Sequence, residues 1–181
     1  NKYTPRSLRK LYRKPGQRKG GIYSSFQVAY AVDGLFECVP DTLSVGCNII
    51  EVGTEIYERF LIKNYHPYGD YIAPEGKTVV QVTIPQYEKD FKYWHKLAQN
   101  PEEYKRVKMQ TAEKIKDEIL ELYPEYKGKF TVLDVWTPQS YYRLNNDYLG
   151  AYMRYITTPF SFNAFYHQFL SFLFQKIQSD I

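Results

Sequence analysis

IYSSFQVAYAV, residues 22–32, decides the fold because it has the composition and the boundaries of a β-strand. β-branched and aromatic residues dominate this stretch, and both types favour strands. Gly20 and Gly21 precede it, and Asp33 and Gly34 follow it, as is typical of chain segments that end in turns. Apolar and polar residues alternate along part of the stretch, which predicts a strand with one buried face.

Further strand-like and helix-like segments extend outward from this strand. The strand-like runs are residues 42–50, 56–63, 78–84 and 130–136. Residues 64–77 are rich in proline, glycine and aspartate and predict turns. Apolar residues recur three or four positions apart in 87–97 and in 101–123, which predicts two amphipathic helices. Because strands and helices do not alternate regularly, the pattern predicts an α+β fold with a largely antiparallel or mixed sheet flanked by helices.

The chain divides into three parts by composition. Residues 1–20 carry eight basic residues and no acidic one, which predicts a basic arm or helix. Residues 21–157 contain the strands and helices of a single α+β domain. Residues 158–181 place phenylalanines at helical spacing, and we expect an aromatic amphipathic helix that packs on the same domain.

Charge and hydropathy restrict the expected partners and location. The basic arm leaves binding to phosphate or an anionic surface open, although no nucleic-acid-binding motif accompanies it, so nucleic acid is the least favoured partner. No run of eighteen apolar residues occurs, and the first twenty residues lack the apolar stretch of a secretory signal. We therefore expect a cytoplasmic protein without a transmembrane segment.

Motifs for cofactor and metal chemistry are absent from the sequence. There is no G-x-G-x-x-G after a strand and no phosphate-binding G-x-x-x-x-G-K. The three histidines, His66, His95 and His167, stand alone, so no metal site is predicted. Cys38 and Cys47 are expected to be buried free thiols.

Two carboxylates lie beside aromatic residues and leave two interpretations open. Asp70 precedes Tyr71, and Asp134 lies two positions before Trp136. Shifted protonation in such surroundings would suit a general acid or base. The alternative, which we favour, is a turn cap for Asp70 and a strand-edge position for Asp134.

One segment, DVWTPQSYYR from Asp134 to Arg143, continues to the glycine and aromatics of GAYM at 150–153. Together with several other pieces it resembles the bacterial phytoene-desaturase-related FAD-dependent oxidoreductases, which belong to the amine-oxidase-like flavoproteins. The resemblance covers about 130 collinear residues, and its pieces are YSSFQVAYAVD (23–33), IAPEGKTVVQVTI (72–84), the block 93–108, LYPEYKGK (122–129) and DVWTPQSYYRLNNDYLGAYM (134–153).

The resemblance implies a fold, a cofactor and a site. In that family a G-x-G-x-x-G unit and a glycine-rich segment hold FAD, and the region similar to this chain forms the substrate domain over an apolar substrate. It implies that this chain is the substrate-domain portion, holds no cofactor itself and is inactive alone, with no catalytic residue assigned. The residues expected to line the substrate cavity are Trp136, Tyr141, Tyr142, Arg143 and Tyr152.

An alternative function stays open beside this one. The domain could be a stand-alone module that binds a lipid or a protein partner, with the aromatic stripe of 160–177 as its contact surface. A homodimer, or a separate chain that supplies the flavin domain, fits the same sequence.

Overall fold

The computed structural model describes residues 24–69 and 71–152, and its centre is one five-stranded sheet. The strands are β1 (Ser24–Val32), β2 (Thr42–Val52), β3 (Glu55–Asn64), β4 (Thr78–Gln86) and β5 (Phe130–Trp136). Their order across the sheet is β2-β3-β4-β1-β5, and every neighbouring pair is antiparallel. The predicted α+β class with a largely antiparallel sheet is confirmed.

Three helices accompany the sheet in the described residues: α1 (Glu88–Leu97), α2 (Pro101–Leu122) and α3 (Pro138–Asn145). Local sequence sets their limits. The Asn100 side chain accepts a hydrogen bond from the Glu103 amide and Pro101 opens α2, as expected for a capped helix start. The residue before Pro124 is disfavoured in helical geometry, which explains why α2 ends at Leu122.

One face of the sheet, here called the packed face, holds the core. Phe26, Val28, Tyr30 and Val32 of β1 are fully buried there and alternate with half-buried residues. α2 packs on this face through buried residues, and the Tyr30 hydroxyl donates to the Ala112 carbonyl oxygen at 2.7 Å. α1 adds Trp94, whose ring stacks on that of Phe26. Burial of this apolar set is the main source of stability.

A buried carboxylate fixes the start of α1 against the β2–β3 turn. Asp90 is fully buried, and its two oxygens accept hydrogen bonds from the Thr54 amide at 2.8 Å, the Thr54 hydroxyl at 2.7 Å and the Tyr87 amide at 2.8 Å. Gly53 has a φ of 72°, and a Cβ there would lie 2.7 Å from Asp90 Oδ1. This turn therefore requires glycine.

The opposite face of the sheet, here called the second face, consists of the alternate residues. Because side chains alternate across a strand, the register assigns them directly. The second face carries Leu61 and Lys63 of β3, Val79, Gln81 and Thr83 of β4, Gln27, Ala29 and Ala31 of β1, and Trp136 of β5. α1 and α2 contribute their buried residues to the packed core, so neither long helix of the described residues covers the second face.

Several expectations need correction or lie elsewhere. Cys38 is exposed and Cys47 is half-buried, so the prediction of two buried thiols is wrong, although both are free. Cys38 is exposed because it lies in the irregular link between β1 and β2. The predicted basic arm at 1–20, the predicted helix at 158–181, Asp70 and His167 fall outside the described residues.

Candidate functional site

The second face is the candidate ligand surface. Its central residues, Gln27, Ala29 and Ala31 on β1 and Gln81 and Thr83 on β4, are all half-buried. The side chains of the two alanines are short, so the backbone in the middle of β1 is accessible from the second face. A flat or elongated molecule lying there would contact main chain and small side chains.

A chain of hydrogen bonds runs across this face from strand to strand. The Tyr65 hydroxyl donates to Gln81 Oε1 at 3.0 Å, and Gln81 Nε2 donates to Gln27 Oε1 at 2.9 Å. The sheet register causes this arrangement, because Gln81 is paired with Ala29 and lies diagonally from Gln27 on the same face. The centre of the second face is therefore mixed in character, with apolar and amide groups.

An aromatic cluster closes the end of the second face where β1 begins and β5 ends. The ring centroid of Tyr141 lies 5.1 Å from that of Trp136 and 5.1 Å from that of Tyr152. Asp134 Oδ2 accepts a hydrogen bond from Trp136 Nε1 at 2.6 Å, which fixes the indole. The structure thus brings together three of the five expected cavity residues.

Tyr141 is the buried member of the cluster. Its hydroxyl lies 3.2 Å from Ser25 Oγ, on the same side of β1 as Gln27. Burial raises the pKa of Tyr141 to about 12, although its hydrogen bond with Ser25 acts in the opposite direction. The phenol is therefore neutral at physiological pH and serves as a polar group inside an apolar cluster.

Tyr142 and Arg143 are separated from this cluster by the helical rotation of α3. The Tyr142 ring packs against α1, with centroids 5.5 Å from Phe91 and 5.7 Å from His95. Arg143 is exposed, and its charge acts on Lys108 of α2. Burial lowers the pKa of the Lys108 amine on α2. The negative charge of Asp134 raises this pKa, and the positive charge of Arg143 lowers it. Within the described part of the chain, no hydrogen bond, ion pair or ring contact joins Tyr142 or Arg143 to Trp136.

The start of α3 is fixed by hydroxyl groups. Thr137 Oγ1 lies 2.8 Å from the Tyr104 hydroxyl of α2, and the Thr137 amide donates to Ser140 Oγ at 3.1 Å. Thr137 and Ser140 form a reciprocal cap at the N-terminus of α3. These contacts set the direction in which Tyr141 leaves the helix.

The segment after α3 approaches the sheet very closely. Asn146, Leu149 and Gly150 all have positive φ, and the Gly150 carbonyl oxygen accepts from Ser24 Oγ at 2.6 Å. A Cβ at Gly150 would lie 1.9 Å from the Pro138 carbonyl oxygen. Only glycine fits at this position. The chain then continues directly to Tyr152.

The charged groups of the second face have partners within the described residues. Lys63 contacts Asp41 and Tyr68, Asp134 accepts from Trp136, and Arg59 donates to Ser44. In the described residues, no group of three or more histidine, cysteine or acidic side chains is placed to hold a metal ion.

The same residues do not fit a flavin dinucleotide. In the Rossmann arrangement, such a cofactor lies on a glycine-rich turn between a parallel strand and a helix, where backbone amides meet the pyrophosphate. All strand pairs in the described part of the chain are antiparallel, and the sequence has no G-x-G-x-x-G. We derive no chemical step through a flavin on this domain.

Sequence reasoning missed the centre of the site. Gln27, Gln81 and Tyr65 were not singled out, because they are far apart in the chain and only the strand order joins them. The available signal was polar residues at alternate positions of otherwise apolar strands, in FQVAYAV and TVVQVTI.

Comparisons with known proteins add no relative. No protein-family model matches the sequence, no curated protein matches it and no solved structure matches the fold. Across 24–69 and 71–152, no helix combines the length and the apolar character needed to cross a bilayer.

Proposed function

We propose that residues 24–152 act as the substrate-side domain of an FAD-dependent oxidoreductase of the phytoene-desaturase-related kind, and that an apolar substrate lies against the second face. The observation that carries this proposal is the asymmetry of the sheet. Its packed face is filled by α1 and α2, whereas its second face holds small and amide side chains and ends in the Trp136–Tyr141–Tyr152 cluster.

The chemistry of this face supports an apolar, elongated ligand. Ala29 and Ala31 leave a shallow path along β1, and the three aromatic rings present a broad apolar wall at its end. Aromatic rings supply large contact areas for flat conjugated molecules. Pockets for small molecules are commonly apolar with a few polar groups, and the Gln27–Gln81 pair supplies these groups.

The proposal assigns the flavin to a different segment or chain. In flavin enzymes the cofactor carries the redox step, while the protein binds and orients the substrate. Since the described residues do not fit FAD, their part in such an enzyme is to bind, orient and shield the substrate. On this account the domain has no redox activity alone.

A second candidate, a stand-alone lipid-binding or protein-interaction module, is favoured by the engaged charges of the second face. Among the described residues, Lys63 and Asp134 already have partners and Arg59 donates to Ser44, so none of these three charged groups is left free for catalysis. A binding module needs no such group. The two candidates share the surface and differ in whether a flavin accompanies it.

The flavin content of the native protein separates the two candidates. An antibody against residues 24–152 would isolate the native protein, whose absorbance spectrum and mass would then be recorded. A flavin spectrum from a longer chain or from a bound partner chain is the expected result. Native protein without flavin but with bound lipid would favour the second candidate, and stoichiometric FAD binding by the 181-residue chain alone would contradict the proposed division of roles.

A further inference from the structure

The hydrogen-bond chain on the second face is directional and ends at Gln27. Tyr65 donates to Gln81, and Gln81 donates to Gln27 Oε1. Each carboxamide has one acceptor oxygen and two N–H donors. In this series of hydrogen bonds, Gln27 Oε1 is therefore occupied as an acceptor, and Gln27 Nε2 is the donor at the end of the series.

This terminal donor lies in the middle of the proposed site. Gln27 is directly opposite Thr83 on β4 and Trp136 on β5, so all three side chains project from one face. Within residues 24–69 and 71–152, Gln27 Nε2 and the Thr83 hydroxyl have no hydrogen-bond partner. Both side chains are half-buried, so water is their expected hydrogen-bonding partner when no ligand covers the face.

A ligand that covers the face removes this water. A pure hydrocarbon would leave the Gln27 amide without a partner, and an unsatisfied buried amide weakens binding roughly ten- to hundredfold. A ligand oxygen in the same place would accept from Gln27 Nε2 and avoid that loss. Of the nearby charged groups, Lys63 is ion-paired with Asp41 and the Asp134 carboxylate accepts from the Trp136 indole, so neither is a free partner for that oxygen.

We infer that the apolar ligand of the second face carries one oxygen group, a hydroxyl or a carbonyl, which accepts a hydrogen bond from Gln27. The inference rests on the proposed function and deepens it by naming the class of ligand. Gln81 and Tyr65 are positioning residues, because they hold the Gln27 carboxamide in the orientation that presents its N–H groups.

A matched pair of fluorescent probes tests this inference on the full chain. Diphenylhexatriene is a rod-shaped hydrocarbon that accepts energy from tryptophan, and its hydroxymethyl derivative differs by one hydroxyl group. Titration of each probe, with energy transfer from Trp136 as the signal, gives two dissociation constants. Trp136→Phe identifies the part of the signal that comes from this residue, since Trp94 is buried in the core.

We expect the hydroxymethyl probe to bind about tenfold more tightly than the hydrocarbon, as one added hydrogen bond predicts. Gln27→Met should remove this preference by tightening hydrocarbon binding, because methionine fills a similar volume and leaves no amide without a partner under the probe. Gln139→Met is the matched control, since Gln139 lies on α3 and contacts His95 rather than the second face. It should retain the tenfold preference.

Each other outcome has a distinct meaning. Equal binding of both probes by the wild-type chain would overturn the inference and leave the proposed function standing. Equal weakening of both probes by Gln27→Met would show a merely structural role and would also overturn it. Failure of both probes to bind would overturn the inference together with the proposed function.

Discussion

Gln27 on β1 and Trp136 on β5 are directly opposite each other in the antiparallel pairing of the two strands, so the amide and the indole project side by side from the second face. Their neighbours continue this relationship in two directions. Gln81 extends the amide side across the sheet, and Tyr141 extends the aromatic side toward α3. The surface proposed to bind the ligand is therefore built by sheet register and by the α3 cap.

Replacing Asp90 by alanine should destabilise the fold strongly. The change removes the acceptor of the Thr54 and Tyr87 amides at a part-buried position, which we expect to cost about 2 kcal/mol of the free energy of unfolding. Urea denaturation followed by circular dichroism measures this. Glu88→Ala, which removes an exposed first-turn carboxylate of α1 and its pair with Lys92, is the control and should cost about 1 kcal/mol or less.

Gly150→Ala should destabilise more than Gly76→Ala, although both glycines have positive φ. At Gly76 a Cβ meets nothing within 4 Å, so only the left-handed conformation costs energy, about 1 to 2 kcal/mol. At Gly150 the Cβ would also collide with the Pro138 carbonyl oxygen. Thermal unfolding of both variants measures the difference, and equal losses would show that the 138–150 approach is not tightly packed.

Alkaline pH should destabilise the protein partly through Tyr141. The folded state raises the pKa of Tyr141 from its ordinary 10.0 to about 12, because burial disfavours the phenolate. The neutral phenol contributes fully to the free energy of unfolding below pH 10, and this contribution is lost as pH rises through about 12. Tyr141→Phe should make the alkaline fall in the free energy of unfolding less steep, while Tyr30, with its own raised pKa, keeps part of it.

Ser25→Ala is the control for the alkaline experiment. It removes the same hydroxyl contact and should cost a similar amount at neutral pH, about 1 kcal/mol. It keeps the phenol, however, and because the lost hydrogen bond lowered the pKa, the alkaline fall should persist. An identical pH dependence in Tyr141→Phe and the wild type would disprove the role given to Tyr141.

Local sequence signals predicted the elements of this fold well. The strand predicted at 130–136 is observed at Phe130–Trp136, and the helix predicted at 101–123 is observed at Pro101–Leu122. Capping residues and prolines carry this information locally, as Asn100, Pro101 and Pro124 do. The ends of strands were predicted less accurately than the ends of helices. β4 was predicted to end at Ile84 but continues to Gln86, whose buried side-chain carboxamide bonds to the Val52 carbonyl oxygen and to Trp94 Nε1.

The site was predicted only where it is local in the chain. Trp136, Tyr141 and Tyr152 lie within one segment and form one cluster, whereas the Tyr142 ring packs against α1 because successive helical residues rotate around the axis. The Tyr65–Gln81–Gln27 chain depends on the strand order, which no local pattern encodes. Long-range pairing therefore accounts for what the sequence did not reveal.

Energy transfer from Trp136 to diphenylhexatriene, compared between Ala29→Lys and Ala98→Lys, tests most directly whether the second face is the ligand surface. Ala29 lies at its centre, whereas Ala98 is a half-buried alanine at the end of α1. We predict saturable transfer in the wild type and in Ala98→Lys, and at least about tenfold weaker binding in Ala29→Lys with unchanged thermal stability, because a charged side chain would lie under the apolar probe. Equal binding by both folded variants, or no transfer in the wild type, would contradict this account.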